Sequence, residues 1–474
     1  MSVLKSSLFR SASLLTVSQI LALLVSAVLV MILPKFISVA DYGYWQLFIL
    51  YSGYVGLFHF GYSDGLYISL GGKNLNILNP AGIKQQITVF LVFQLFFSAA
   101  VLLFSLYYFQ DYSKMYVFTG VGIFLFVENY HKLLSFMLLS TNNAKSYAKS
   151  VIIDKVFTLV LLLIAVSTLS LNFTHAIIIY IVCRLFSLLY LMLMYRSFLP
   201  QAVNLKQFRI GWEQILVNCR LGIILTVSNI LGTLILASGR LVVEFSWSIS
   251  SFAQISLAVS LAFFIMSLIS QVSLVLFPIL CNAEDNVRKK ILKQGSVIIG
   301  YISIAGFFFY FITHIFIKFW LPAYTESLTY LIYLFPIVLF ENKTQILYTT
   351  YCKSINKLRL LLNVNILVMV VAVILYFVAA KIHSIELILT TMFFVLMLRS
   401  IILQLFLYRH FGLKIDRYFY LEVLFSVAFI LVSRYFSVQI LFIFFVIALA
   451  CFSAIYLKDL KSIYFNFKNR GNEI

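Results

Sequence analysis

Long apolar blocks separated by short polar segments follow one another along the whole chain. Fourteen of them have the roughly 20 residues that an α-helix needs to cross the hydrocarbon core of a bilayer. They cover residues 12–33, 45–69, 87–109, 116–139, 150–170, 174–195, 214–238, 252–279, 296–317, 328–350, 359–380, 385–408, 418–434 and 438–457. The pattern therefore predicts an all-α polytopic membrane protein with about 14 transmembrane helices.

The composition excludes several classes of protein. Of the 474 residues 63% are hydrophobic and 11% are charged, whereas a soluble domain has about 45–50% and about 25%. Soluble enzymes, nucleic-acid-binding domains and secreted disulfide scaffolds do not fit these values. The five cysteines show no CxxC spacing and are expected to be free, buried thiols, and the six histidines form no metal motif. No metal site and no cofactor is expected from these residues.

The formal net charge of +19 is explained by membrane topology. Twenty-three of the 35 Lys and Arg residues lie on the side of the N-terminal tail, six on the other side and six within the spans. Positive residues accumulate in cytoplasmic segments, so both termini are predicted to be cytoplasmic. The basic residues are dispersed, and no nucleic-acid partner is indicated.

Two similar polar turns indicate an internal duplication. Residues 141–147 follow the fourth span and residues 351–357 follow the tenth, about 210 positions later. We therefore predict two six-helix lobes around a central cavity, residues 1–200 and 201–410, followed by an extra helix pair and a basic tail, residues 411–474. Repeated bundles with a site between them are the usual architecture of transporters.

Ionisable residues within the spans are candidates for function because burying a charge in hydrocarbon is costly. In the fourth span Glu128, His131, Lys132 and Ser135 share one helix face. This face is either the polar wall of a cavity, with Glu128 and His131 able to take protons, or a Glu128–Lys132 pair that packs between helices.

Further ionisable groups occur at corresponding places in the two predicted lobes. Glu341 lies in the tenth span, Arg184 in the sixth and Arg399 in the twelfth. The arginines either bind a phosphate-bearing substrate, since the planar guanidinium suits phosphate oxygens, or each pairs with a nearby acid. For Asp64 and Asp154, near the cytoplasmic boundary, extension into the interface is the favoured interpretation.

Short motifs resemble those of polysaccharide (O-antigen) flippases of the multidrug/oligosaccharidyl-lipid/polysaccharide exporter superfamily. Leu33-Pro34 ends the first helix, an acid-Tyr-Gly turn comes before the second, and a family-like segment with two glycines lies near the end of the second. In the second half, a Phe-Pro pair closes the eighth helix, an aromatic turn precedes the tenth and a Lys-containing loop follows it. These motifs are residues 40–44, 60–65, 277–280, 319–324 and 353–357.

The resemblance implies a non-enzymatic flippase that moves undecaprenyl-pyrophosphate-linked oligosaccharide across the bacterial cytoplasmic membrane by alternating access. Its partners would be this substrate, membrane lipids and the polysaccharide polymerase or chain-length machinery. The substrate-binding candidates are Arg184, Arg399, Lys132 and His131, and the ion-coupling candidates are Glu128, Glu341, Asp64 and Asp154.

Two alternatives remain open at this point. A drug/cation antiporter of the same superfamily would need an acidic, aromatic cavity, which the central arginines disfavour. A membrane polysaccharide polymerase or glycosyltransferase would need a large outer loop, whereas the longest candidates here are residues 34–44 and 239–251.

Overall fold

The computed structural model describes residues 2–71, 80–141, 143–168, 170–201, 204–270, 272–414 and 417–471. Almost all of this part of the chain is helical, and it contains no strand. The chain forms two compact units, Met1–Ile230 and Leu231–Ile474. The predicted division into residues 1–200, 201–410 and 411–474 stays a prediction.

The first unit contains seven helices and the first part of an eighth. They are α1 (Ser2–Phe36), α2 (Val39–Ser52), α3 (Tyr62–Leu70), α4 (Pro80–Tyr108), α5 (Tyr112–Ser140), α6 (Ala144–Thr168), α7 (Phe173–Met194) and α8 (Leu205–Ser246). Short 3₁₀ segments at Val55–His59 and Arg196–Phe198 precede α3 and α8. Helix α8 continues into the second unit, because the units divide after Ile230.

The second unit contains the remaining helices. They are α9 (Ile249–Ser270), α10 (Val272–Asn282), α11 (Asp285–Ala305), α12 (Phe308–Trp320), α13 (Ser327–Asn342), α14 (Thr349–Ser354), α15 (Leu358–Ile382), α16 (Ile385–His410), α17 (Arg417–Tyr435) and α18 (Val438–Gly471). A 3₁₀ turn, Pro322–Tyr324, precedes α13, and a π-helical segment, Lys343–Tyr348, joins α13 to α14.

The all-α, polytopic class of the protein is confirmed. Within the described residues, eleven helical stretches are long and apolar enough to cross a membrane, and all of them lie at predicted spans. Of the other three predicted spans, the second and the tenth each comprise more than one helical segment, and the eighth includes residue 271, which lies outside the described residues. The total of fourteen crossings and the cytoplasmic location of both termini stay predictions.

The second predicted span is interrupted by a left-handed turn. Phe60 and Gly61 have φ of 48° and 82°, a region that glycine enters without steric cost. Beyond this turn α3 packs directly on α8, since a Cβ atom on Gly65 would overlap the backbone of Asn218. Small residues permit such close helix contacts within a membrane.

All five cysteines are free, as predicted. The expectation that they are buried is wrong for Cys281 and Cys451, which are exposed, and only partly right for Cys219. An apolar sequence environment does not imply burial inside a membrane protein, because a residue that contacts lipid is exposed at the protein surface. Among the described residues, no group of His, Cys, Asp or Glu is arranged to hold a metal ion.

Candidate functional site

Arg184 connects three helices of the first unit. It projects from α7, with Nε 2.8 Å from Oε2 of Glu128 on α5 and Nη1 3.4 Å from Oδ2 of Asp154 on α6. Lys155 contacts the same Asp154 oxygen at 3.2 Å. Two acidic and two basic side chains therefore form one charge-balanced cluster, which is the arrangement that a low-dielectric interior requires.

Arg399 occupies the corresponding place in the second unit. Its Nη1 donates to both carboxylate oxygens of Glu341, at 3.1 and 3.3 Å, and to the carbonyl oxygen of Gly232 at 3.2 Å. Its Nε donates to Oδ1 of Asn365 at 2.9 Å. The Arg399 and Glu341 side chains are 2% and 6% exposed, so this ion pair is almost fully enclosed.

The two clusters lie at positions that correspond under the predicted internal duplication. An acid lies on the fourth span, an Asp or Asn on the fifth and an arginine on the sixth span of each half. The three pairs are Glu128 and Glu341, Asp154 and Asn365, and Arg184 and Arg399, which are 213, 211 and 215 positions apart. We call each set a triad. Asn365 was not a sequence candidate, although an offset of about 210 residues from Asp154 would have identified it.

The triads differ in charge and in accessibility. The first contains Asp154 where the second contains the neutral Asn365, and its Arg184 and Glu128 side chains are 16% and 23% exposed. The close approach of Arg184 Nε to Glu128 also lacks the alignment of a hydrogen bond. The first triad is thus looser and more acidic, whereas Arg399 is held by four hydrogen bonds.

Lys132 belongs to a separate polar chain. Its Nζ lies 2.9 Å from Nε2 of His59, which is itself 3.7 Å from Oδ2 of Asp64. The hydroxyl of Thr226 donates to that carboxylate at 2.5 Å. The proposed Glu128–Lys132 pair is therefore wrong, because each residue has a partner on another segment of the chain.

His59 is a polar residue that the sequence analysis missed. The backbone N–H of Gly61 donates to its Nδ1 at 3.1 Å, so in the neutral ring Nε2 carries the proton. Only one hydrogen can lie on the short axis between Nε2 and Nζ of Lys132. Lys132, His59 and Asp64 thus form one continuous polar chain, with distances of 2.9 and 3.7 Å between successive groups.

The remaining candidates are buried. His131 lies 2.9 Å from the hydroxyl of Ser187, which donates to the carbonyl oxygen of Ser150. Asp64 and Asp154 are 8% and 4% exposed, so the expectation that they extend into the interface is wrong. Both carboxylates turn towards polar partners inside the first unit, where such partners compensate for the loss of water.

The sequence matches no family model and no curated protein. Its structure is similar to that of the lipid II flippase MurJ in an inward closed conformation, with a TM-score of 0.68 and 15% identity over 95% of this chain and 99% of that one.

Two further solved structures are similar. An inward-facing multidrug resistance MATE family transporter of the MOP superfamily gives a TM-score of 0.56 at 13% identity, over 88% of this chain and 99% of that one. A MATE in complex with MaL6 gives 0.51 at 12% identity, over 81% and 96%. The chain thus shares the fold of these transporters and of this flippase.

Proposed function

We propose that the protein is a flippase for undecaprenyl-pyrophosphate-linked oligosaccharide in the bacterial cytoplasmic membrane. The observation that carries this proposal is the pair of triads, which places an arginine paired with a glutamate inside each unit. The similarity in fold to MurJ, a lipid II flippase, supports a lipid-linked substrate. Alternating access between two lobes would then move the polar headgroup across the bilayer.

The triads have the chemistry of a partner exchange. A pyrophosphate offers more acceptor oxygens and more negative charge than a carboxylate, and the arginine fork binds such oxygens in pairs. When H⁺ or Na⁺ neutralises Glu128 or Glu341, the adjacent arginine becomes free to bind the substrate. Substrate binding and cation binding would in this way depend on each other, which is the requirement for coupled transport.

Asn365 would keep the second triad ordered during this exchange. Its amide oxygen accepts from Arg399 Nε, and this hydrogen bond does not depend on the charge of Glu341. Arg399 would therefore keep its orientation while its carboxylate partner is neutral. In the first triad Asp154 provides a second carboxylate to be neutralised, which makes it a coupling candidate together with Glu128.

The Lys132–His59–Asp64 chain would supply a second place for a proton within the first unit. Asp64 keeps its proposed role in ion coupling, and Lys132 and His131 keep theirs in binding the headgroup. A polysaccharide polymerase with its chain-length machinery would be the partner that consumes the translocated product.

A drug/cation antiporter is the second candidate function. The MATE transporters share the fold, and an aromatic cavity with His59 in its wall lies in the first unit. Such a protein would move organic cations in one direction in exchange for protons moving in the other. Transport of a cation such as ethidium would therefore distinguish it from a flippase.

The experiment is a flipping assay in proteoliposomes. A fluorescent undecaprenyl-pyrophosphate saccharide is incorporated, and dithionite bleaches the label in the outer leaflet. Arg184→Gln and Arg399→Gln should each slow flipping about 10- to 100-fold, since a hydrogen bond to a charged group contributes about 1.5–3 kcal/mol. Arg434→Gln, at an exposed ion pair, is the matched control.

Coupling is tested in the same vesicles. Glu128→Gln and Glu341→Gln together should weaken the response of flipping to an imposed H⁺ or Na⁺ gradient, and adding Asp154→Asn should weaken it further. Unchanged flipping in both arginine variants would refute the proposal, and proton-driven ethidium uptake without lipid flipping would establish the antiporter.

A further inference from the structure

An aromatic cavity of about 350 Å³ lies in the first unit. It is enclosed by the 3₁₀ segment Val55–His59, the start of α3, the middle of α4 and the first part of α8. Phe93 of α4 stacks on Trp212 of α8, with 4.6 Å between the ring centroids. The volume is in the range of small-ligand sites, roughly 300–1,000 Å³, and is far larger than the gaps of a packed interior.

The polar groups in the cavity wall already have partners. Gln94 donates to the carbonyl oxygen of Phe58 at 3.0 Å and accepts from Asn129 at 2.7 Å. His59 is engaged by Gly61 and Lys132. Ordered water needs two to four polar partners, so the cavity suits hydrocarbon and not water.

The surroundings of the cavity are apolar and exposed. Phe60 and Leu216 in its wall are 50% and 38% exposed, and the neighbouring α4 residues Val92, Leu95 and Phe96 are exposed as well. Such side chains on membrane-spanning helices contact lipid tails. A hydrocarbon chain from the bilayer can therefore reach the cavity along this surface.

Basic residues lie beyond one end of the cavity. Helices α4 and α8 are joined there by a 2.7 Å hydrogen bond between Gln86 and Gln214. Further towards the N-termini of the two helices lie the partly or fully exposed Lys84, Lys206 and Arg209. Arg209 is three residues before Trp212 in the same helix, which is about 4.5 Å along the axis. Its exposed guanidinium also contacts Glu213 of the next turn at 3.2 Å, an exposed pair that contributes about 0–1 kcal/mol.

We propose that this cavity binds one acyl chain of an anionic phospholipid, whose phosphate lies against Lys84, Lys206 and Arg209. The cavity is comparable in size to a single acyl chain and much smaller than a polyprenyl tail. Basic pockets between membrane helices on the cytoplasmic side recognise anionic headgroups. This site uses neither triad, although His59 of its wall also belongs to the Lys132–His59–Asp64 chain.

Trp212 provides a built-in probe. In the full chain the other tryptophans, Trp45, Trp247 and Trp320, are replaced by Phe, and the protein is reconstituted with lipids brominated in mid-chain. Brominated phosphatidylglycerol should quench Trp212 at a mole fraction more than about fivefold lower than brominated phosphatidylcholine, since each basic residue beside an anionic headgroup contributes about fivefold. Equal quenching by the two lipids would overturn the proposal.

Two variants test the chain site and the headgroup site separately. Cys219→Phe adds a ring to the cavity wall and should abolish the preferential quenching, whereas Leu103→Phe, at an exposed position of α4, should not. Arg209→Gln leaves the cavity intact and should reduce the preference for phosphatidylglycerol about fivefold. Quenching that neither Cys219→Phe nor Arg209→Gln changes would show ordinary contact with bulk lipid and refute the site. Displacement of the brominated lipid by undecaprenyl phosphate at a lower mole fraction than by phosphatidylglycerol would overturn the choice of a phospholipid.

Discussion

Lys343 and Glu422 form a buried ion pair that can be tested by its stability. Lys343 begins the π-helical segment after α13, and Glu422 lies on α17. The two Nζ–O distances are 2.6 and 2.5 Å, and the side chains are 2% and 0% exposed. Tyr456 of α18 donates to the same carboxylate at 3.3 Å. The pair therefore joins the C-terminal helices α17 and α18 to the rest of the second unit.

Removing one partner should be far more costly than removing both. Glu422→Gln leaves the Lys343 ammonium buried without its carboxylate, and breaking a buried pair in this way costs about 3–5 kcal/mol. The double variant Lys343→Met with Glu422→Leu leaves no buried charge and should be close to wild type or more stable. The ion pair of Arg434 and Glu386 is a control, because its side chains are 54% and 42% exposed and such pairs contribute about 0–1 kcal/mol.

The assay heats the full chain in detergent to a series of temperatures. Size-exclusion chromatography then measures the fraction that is still folded, which gives Tm. In a domain of about 150–250 residues each kcal/mol moves Tm by about 2–4 °C. Glu422→Gln should thus lower Tm by about 6–20 °C, while Arg434→Gln changes it by at most about 4 °C. Similar Tm values for Glu422→Gln and Arg434→Gln would refute the reasoning, as would a double variant no more stable than Glu422→Gln alone.

Two further predictions concern packing and exposure. Gly65→Ala should lower Tm strongly, because its Cβ would overlap the backbone of Asn218. Gly56→Ala is the control, since the nearest atom to an added Cβ there is a side-chain nitrogen at 3.5 Å. Equal Tm values for the two variants would contradict the close contact of α3 and α8. In the folded protein in detergent, N-ethylmaleimide should modify the two exposed thiols quickly and the two buried thiols only after unfolding, as mass spectrometry of the peptides would show. The exposed pair is Cys281 and Cys451, and the buried pair is Cys183 and Cys352.

The hydropathy pattern predicted the helices well. An unpaired backbone N–H or C=O group is costly in hydrocarbon, so a single chain segment that crosses a membrane is nearly always a long α-helix. The interruptions were not visible in the pattern. Most of residues 45–69 are apolar, so the segment resembles one span. The left-handed turn at Phe60 and Gly61 nevertheless divides it. Similarly, the π-helical segment at Lys343–Tyr348 has no signal in an average over about 20 residues.

The charged residues were found, but several partners were not. Spacing along one helix suggested Glu128 with Lys132, since residues four apart are neighbours on a helix surface. The structure instead pairs Glu128 with Arg184, 56 positions away, and Lys132 with His59, 73 positions away. Inside a membrane a charged side chain pairs with the strongest partner within reach. That partner depends on which helices pack together, and the sequence of one helix cannot show this.

The internal duplication supplies part of this missing information, and it also limits what can be inferred. Once Arg184 is known to meet an acid on the fourth span and Asp154 on the fifth, an offset of about 210 residues leads to Arg399, Glu341 and Asn365. The same argument fails for Glu422, because α17 and α18 follow the repeated helices and have no counterpart in the first half. Their attachment through Lys343 therefore had to be seen in three dimensions. The end of α13 and the start of the π-helical segment thus carry two buried charges only two positions apart. Glu341 pairs with Arg399 of α16, and Lys343 pairs with Glu422 of α17. A rearrangement of the Glu341–Arg399 pair would consequently shift Lys343, two positions along the chain, and through Lys343 the C-terminal helices that Glu422 holds.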